Sequence, residues 1–75
     1  MIQLHQKTAS DYLHLPYHLL ITPDDEGFGV SVIELEGCYT HAQRWEDIPA
    51  QVSEAQSLWI TVMLEDGKII PEPHP

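Results

Sequence analysis

Apolar residues recur with two different periods along the chain. Residues 17–22 and 28–35 are short runs rich in Leu, Ile and Val, a composition typical of β-strands. Between residues 46 and 65 the apolar positions recur every three or four residues, which indicates a helix. The pattern therefore predicts a small sheet followed by a helix that packs on it.

The two apolar runs predict an antiparallel hairpin. Residues 23–27 separate them, and Pro23 and Gly27 within this segment favour a turn. Glu36 and Gly37 predict the next turn, and residues 38–43 are the candidate third strand.

Both faces of the predicted hairpin carry apolar side chains. Alternate residues of a strand point to opposite faces, so Leu20 points away from Leu19 and Ile21, and Ile33 and Leu35 point away from the other apolar residues of their run. A sheet covered by one helix needs only one apolar face. The second face predicts a contact with another subunit, made by Leu20, Ile33 and Leu35.

The helix is predicted over residues 46–65. Asp47 is the predicted N-cap, because Pro49 fits only in the first turn of a helix. Gly67 predicts a left-handed terminator, and residues 68–70 predict a short closing strand. The apolar stripe that faces the sheet consists of Ile48, Val52, Ala55, Trp59 and Val62, widened by Leu58 and Met63.

The first residues are polar and show no clear period. Residues 10–15 predict one or two helical turns, capped by Ser10 or Asp11 and ended by Pro16. Trp45, just before the main helix, is either a staple onto the sheet or an exposed anchor for a partner.

The length of 75 residues predicts a single α+β domain over residues 1–75, with an extension at 1–16 and a core at 17–75. A chain of this size buries only about 60% of its unfolded surface. The single cysteine, Cys38, excludes an internal disulfide. Additional stability would then come from a metal or from self-association, and we expect a homodimer or a higher symmetric oligomer.

Three basic residues stand against twelve acidic ones, for a net charge of −9. Such a chain repels phosphate backbones, so direct binding to nucleic acid is not expected. A basic protein partner fits the charge better, although acidity also serves solubility alone. No apolar run approaches the roughly 18 residues that span a bilayer, and a lone cysteine fits a reducing compartment. These features predict a cytoplasmic protein that does not bind membranes.

The residue pattern gives little support for a metal site or for a nucleophilic catalytic site. In a strand over residues 38–43, Cys38 and His41 would point to opposite faces, and no second cysteine completes a common zinc site. The adjacent acids Asp24, Asp25 and Glu26 lack the alternating ligand pattern of a calcium loop. No metal, cofactor or catalytic residue is predicted.

Several short motifs, in order and without gaps, resemble the HicB family of antitoxins in its short form, which implies no appended DNA-binding domain. The helix entry at residues 42–49 departs from the family pattern. The motifs that carry the resemblance are Tyr12–Tyr17, the acidic turn ending at Gly27, Leu35–Cys38 with Thr40, Glu54-Ala55, Leu58-Trp59, Glu65–Gly67 and Ile70–Pro73.

The resemblance implies a partial ribonuclease H-like fold of order β-β-β-α-β whose catalysis is lost, since no acid lies inside the predicted first strand. Family members neutralise HicA, a small basic ribonuclease that cleaves messenger RNA. The expected function is therefore that of an antitoxin; the alternative is an orphan binding or oligomerisation module without a toxin. A metal-dependent nuclease is less favoured. The candidate partner-binding residues are Asp24, Asp25, Glu26, Glu34, Glu36 and Trp45.

Overall fold

The fold is a three-stranded antiparallel sheet with its long helix packed on the strands, which confirms the small α+β class. The computed structural model describes residues 8–73. The strand order is β1-β2-β3. The elements are helix α1 (Ala9–Leu13), strands β1 (Leu19–Asp24), β2 (Gly27–Val32) and β3 (Tyr39–Ala42), a 3-10 turn (Trp45–Asp47) and helix α2 (Ile48–Glu65).

The β1–β2 hairpin is tighter than predicted. Asp24 pairs with Gly27, so only Asp25 and Glu26 lie in the turn. Pro23 continues the ladder opposite Phe28, which is possible because β1 is an edge strand and Pro needs no partner there. The prediction of an acid-free first strand is wrong, since β1 ends with Asp24.

Strand β2 is shorter than predicted, and this corrects the placement of Leu35. The chain turns after Val32, with the Leu35 backbone N–H donating to Val32 O at 3.1 Å and the Cys38 N–H donating to Leu35 O at 2.9 Å. The turn breaks the strand alternation, so Leu35 is fully buried in the core whereas Ile33 is 60% exposed. Leu35 is thus unavailable for the subunit contact predicted from sequence.

Helix α2 begins where predicted, but its buried face is rotated. Ile48, Val52 and Ile60 are buried in the core, and Trp59 and Met63 pack against it while partly exposed. The predicted stripe members Val62 and Leu58 are 47% and 69% exposed. Four-residue spacing from Ile48 through Val52 and the buried Gln56 to Ile60 sets the core face, and the exposed apolar residues lie beside it.

The two ends of α2 differ in how they are capped. Asp47 is the N-cap residue as predicted, but its side chain does not bond the helix backbone. At the other end, Gly67 has φ +71°, and the Lys68 N–H donates to Met63 O at 2.9 Å, the bond of a Schellman cap. The predicted Gly67 terminator is confirmed.

The segments outside the sheet and α2 differ from prediction. Helix α1 is capped by Thr8, through a reciprocal capping box with Asp11, rather than by Ser10 or Asp11. Residues 68–70 form no strand. Ile70 is nevertheless buried in the core, and the Tyr17 hydroxyl donates to Pro71 O at 2.6 Å, so this extended segment lies beside the start of β1.

Candidate functional site

The β1–β2 turn presents carboxylates at one end of the sheet. The Glu26 backbone N–H donates to Asp24 Oδ1 at 2.8 Å, and His41 Nε2 lies 3.1 Å from Asp24 Oδ2. The bond from the Glu26 N–H is the largest influence and, against desolvation and together with the contact with His41, holds the pKa of Asp24 below its usual value. Asp24 is therefore a fixed anion, while Asp25 and Glu26 are exposed.

The β1–β2 turn packs against the end of β3. Gly27 has φ +139°, and a Cβ at this position would lie 2.2 Å from Ala42 O and 2.7 Å from Gln43 Cα. Glycine is required here both for its backbone conformation and for the close approach. The contact holds the turn against residues 42 and 43, immediately before Trp45.

Trp45 lies at the same end and is largely exposed. Its ring meets the Phe28 ring edge-on, with centroids 5.5 Å apart and planes at 78°, a favourable aromatic geometry. The side chain is still 62% exposed. The contact with Phe28 supports the staple onto the sheet, and the role of Trp45 as an anchor for a partner stays a prediction.

Two further carboxylates follow Trp45. Asp47 accepts from Arg44 Nε at 3.1 Å, and Glu46 lies 3.8 Å from the same Arg44 atom. Arg44 is the one cationic Lys or Arg side chain in this part of the described structure. We call this surface the acidic end; it consists of Asp24, Asp25, Glu26, Trp45, Glu46 and Asp47.

The predicted residues Glu34 and Glu36 lie elsewhere. They follow β2, whose six residues place them about 17 Å from the hairpin turn. Glu34 accepts the His18 backbone N–H at 2.9 Å and also contacts His18 Nδ1, and these bonds lower the pKa of Glu34. The carbonyl of Glu36 accepts from Trp59 Nε1 at 3.0 Å. The carboxylate of Glu34 is thus bonded within the chain, whereas Glu36 is bonded through its backbone carbonyl.

The end of the sheet where Glu34 lies holds a second anchored group, the Tyr17 side chain. Burial, followed by the negative charge of Glu72, raises the pKa of Tyr17 to about 12. Its hydroxyl is therefore a hydrogen-bond donor at neutral pH, and it ties Pro71 to the start of β1. This end of the sheet is held together by internal contacts.

Cys38 and His41 do not form a common site. Cys38 is buried in the core, where desolvation raises the pKa of its thiol, whereas His41 contacts Asp24 on the other face. A raised pKa leaves little thiolate for nucleophilic attack. Among residues 8–73 no group of three or more His, Cys, Asp or Glu side chains is arranged to hold a metal ion.

The structure thus divides the predicted partner-binding residues between two ends. Asp24, Asp25, Glu26 and Trp45 come together, and Glu34 and Glu36 are separate from them. The sequence interpretation missed Glu46 and Asp47. Because β3 runs antiparallel to β2, with Phe28 opposite Ala42, the residues that follow β3 lie next to the hairpin turn. This antiparallel pairing was the signal that could have located Glu46 and Asp47.

These features can be compared with known proteins. Residues 17–75 match the family model described as HicB_like antitoxin of bacterial toxin-antitoxin system. The chain belongs to the HicB-like antitoxin family. The match begins at Tyr17 and so excludes α1. Family membership indicates a regulatory role in a toxin-antitoxin system.

Two other comparisons gave no match, either among curated proteins or among solved structures. Separately, within residues 8–73 no helix has both the length and the apolar character needed to cross a membrane.

Proposed function

We propose that this protein neutralises a HicA-type ribonuclease in the cytoplasm by binding its basic RNA-cleaving surface. The observation that carries the proposal is the family match over residues 17–75. It specifies a toxin-antitoxin system but not the toxin, and the choice of a HicA-type protein rests on the resemblance noted in the sequence. In this proposal the chain is a blocker without catalytic activity.

The acidic end is the proposed contact with the toxin. It offers five carboxylates against Arg44 and an exposed aromatic ring, Trp45, held edge-on by Phe28. Exposed aromatic residues are frequent binding anchors, and opposite potentials steer association. A surface that binds RNA must itself be basic, so the acidic end is complementary to it.

The same charge supports the proposal that this chain does not bind nucleic acid directly. The described residues contain two Lys or Arg side chains, Arg44 and Lys68, and Arg44 is engaged by Asp47. We also propose that the protein self-associates, because Leu20 and Ile33 are exposed by 58% and 60% and the domain is small.

A titration of the purified full chain with a HicA-type toxin encoded beside it tests the function. The expected result is a complex at low salt whose affinity falls as salt rises, together with loss of RNA cleavage by the toxin. RNA cleavage that continues at saturating concentrations of this chain would contradict the proposal. Absence of any complex would leave the orphan module as the better interpretation.

A further inference from the structure

Two histidine–carboxylate pairs lie at opposite ends of the sheet. At the acidic end, His41 Nε2 is 3.3 Å from Asp24 Oδ1 and 3.1 Å from Asp24 Oδ2. At the other end, His18 Nδ1 contacts the Glu34 carboxylate. Histidine is the side chain that ordinarily changes its charge between about pH 5 and pH 8, where a carboxylate stays ionised. Each pair therefore joins an anion to a group whose charge depends on pH.

The strand register brings His41 to the acidic end. Alternate side chains of a strand point to opposite faces, so His41 lies on the face opposite to that of the buried Ala42. Across the β2–β3 ladder His41 is paired with Gly29. Because glycine has no side chain, the imidazole can reach over β2 to Asp24, the last residue of β1.

Carboxylates are the charged groups nearest to His41. Asp24 is in contact with the imidazole and is itself fixed by the Glu26 N–H at 2.8 Å. Asp25 and Glu26 follow in the turn, and both are exposed. A proton on His41 would therefore be placed directly within the anionic part of this surface.

The other described neighbours of His41 are neutral or paired. A Cβ at Gly29 would lie 2.6 Å from the Tyr39 hydroxyl, so the Tyr39 ring extends over Gly29 on the same face as His41. Arg44 follows three residues later and donates to Asp47. Among the side-chain types in this surrounding, only imidazole ordinarily titrates between about pH 5 and pH 8.

Protonation of His41 changes the charge of the acidic end without breaking its contacts. The five carboxylates of the acidic end and the adjacent Arg44 carry a net charge of −4 when His41 is neutral, and −3 when it is protonated. Nε2 can donate to Asp24 in both states, because a neutral imidazole still carries one N–H. The expected response to pH is therefore electrostatic, with the hairpin turn left in place.

We propose that His41 regulates toxin binding by pH, because the neutral imidazole leaves the charge of Asp24 available to a basic partner and the protonated imidazole competes with that partner. This inference rests on the proposed function and concerns the same surface. Linkage is reciprocal, so a toxin that prefers neutral His41 also displaces a proton from it. Toxin affinity should then fall as pH falls from about 8 to about 5.5.

Calorimetric titration of the full chain with the HicA-type toxin encoded beside it, at about pH 8 and about pH 5.5, tests the regulation. His41→Gln retains an N–H donor for Asp24 but gains no charge. The loss of affinity between the two pH values is expected to be about three- to fivefold larger in the wild type than in His41→Gln. This ratio cancels titration of the toxin itself.

Two further variants locate the effect. His18→Gln is the matched control, because it makes the same change in the pair at the other end of the sheet, and it is expected to keep the pH dependence of the wild type. His41→Lys carries its charge at both pH values and is expected to reduce the pH dependence as His41→Gln does. Circular dichroism checks that each variant is folded.

A measurement on the wild type avoids substitution altogether. The His41 ring signals, followed by NMR against pH, should titrate at a lower midpoint in the complex than in the free chain, since toxin binding opposes protonation. The His18 signals should shift less. An equal midpoint for His41 in the free and bound chain would overturn the inference.

The remaining outcomes separate this inference from the proposed function. Absence of a complex at both pH values overturns the proposed function, and this inference with it. A complex whose pH dependence is the same in the wild type and in His41→Gln overturns this inference alone. Equal loss of the pH dependence in His18→Gln and His41→Gln would show a general effect of histidine charge and would overturn the local role of His41.

Discussion

The acidic end and an apolar groove, which we call the neutral groove, lie on the same small domain and differ in nearly every physical respect. The acidic end carries five carboxylates and Trp45, which is 62% exposed, and Arg44 lies beside it. The neutral groove lies between β3 and α2 and has no Asp, Glu, Lys, Arg or His among its lining residues, which are Gly37, Cys38, Tyr39, Ala55, Leu58, Trp59, Val62 and Met63.

This difference separates two kinds of recognition. Carboxylates act over about 10 Å at ordinary ionic strength and accelerate association with a basic partner. An apolar groove acts only on contact, through removal of surface from water. An acidic surface and an apolar surface on one chain therefore favour partners of different chemistry.

The largest expected effect comes from reversing charge at the acidic end. The double variant Asp25→Lys, Glu26→Lys changes two exposed turn residues that lie outside the strands. Like charges brought against a basic toxin cost several kcal/mol, so toxin affinity should fall at least about 100-fold, as measured by calorimetric titration. The dimer should be unaffected in sedimentation.

The control for this variant is Glu65→Lys, Asp66→Lys, which changes the net charge equally at the exposed C-terminal end of α2. Lysine is tolerated at a helix C-terminus because it interacts favourably with the dipole. This control should retain most of the toxin affinity. Equal loss in both variants would show that only total charge matters and that the acidic end is not a specific contact.

The two tryptophans offer a smaller, more local contrast. Trp45→Ala should weaken toxin binding by about 2 kcal/mol, while the free energy of unfolding changes by about 1 kcal/mol through the lost Phe28 contact. Trp59→Phe removes the hydrogen bond to Glu36 O and should cost about 1 kcal/mol of stability without changing toxin affinity. Urea unfolding and calorimetry measure both quantities. Unchanged binding by Trp45→Ala would remove Trp45 from the interface.

The sequence predicted most of the elements, because period and turn chemistry act locally. The third strand, the helix that carries Pro49 in its first turn and the Gly67 terminator all follow from neighbouring residues. Leu35 was misplaced because strand alternation was extended through a turn that begins after Val32. The predicted apolar stripe of α2 was rotated relative to the observed buried face. Burial of Ile60 depends on where the sheet lies, and the helical period alone does not determine this.

The candidate site was less predictable, since it depends on contacts between distant segments. Pro23 and Gly27 predicted the hairpin turn, and the adjacent acids within it were candidate partner-binding residues from the sequence alone. The addition of Glu46 and Asp47 depends on the pairing of Phe28 with Ala42, and the separation of Glu34 and Glu36 depends on strand length. The neutral groove requires both the exposed side of α2 and the free edge of β3, and no local pattern joins those two features.

The smallest expected effect concerns the pH dependence of the acidic end. The pKa of Asp24 is lowered in the folded chain, first by the Glu26 N–H and then by His41. The unfolded state therefore binds a proton more readily. The stabilisation that Asp24 contributes is fully present above the unfolded pKa of about 3.9 and is lost as pH falls through the lower folded pKa. Asp24→Asn should flatten this dependence.

Urea unfolding between about pH 5 and about pH 3 measures the slope. Asp25→Asn is the matched control, because its carboxylate accepts no hydrogen bond within the described residues, and it should change the slope less than Asp24→Asn. Amide exchange at the lower pH should increase first at Glu26, whose N–H bonds Asp24, and should leave α2 protected. An equal increase across α2 would show that the acidic end and the neutral groove unfold together, and the two surfaces would then not be independent.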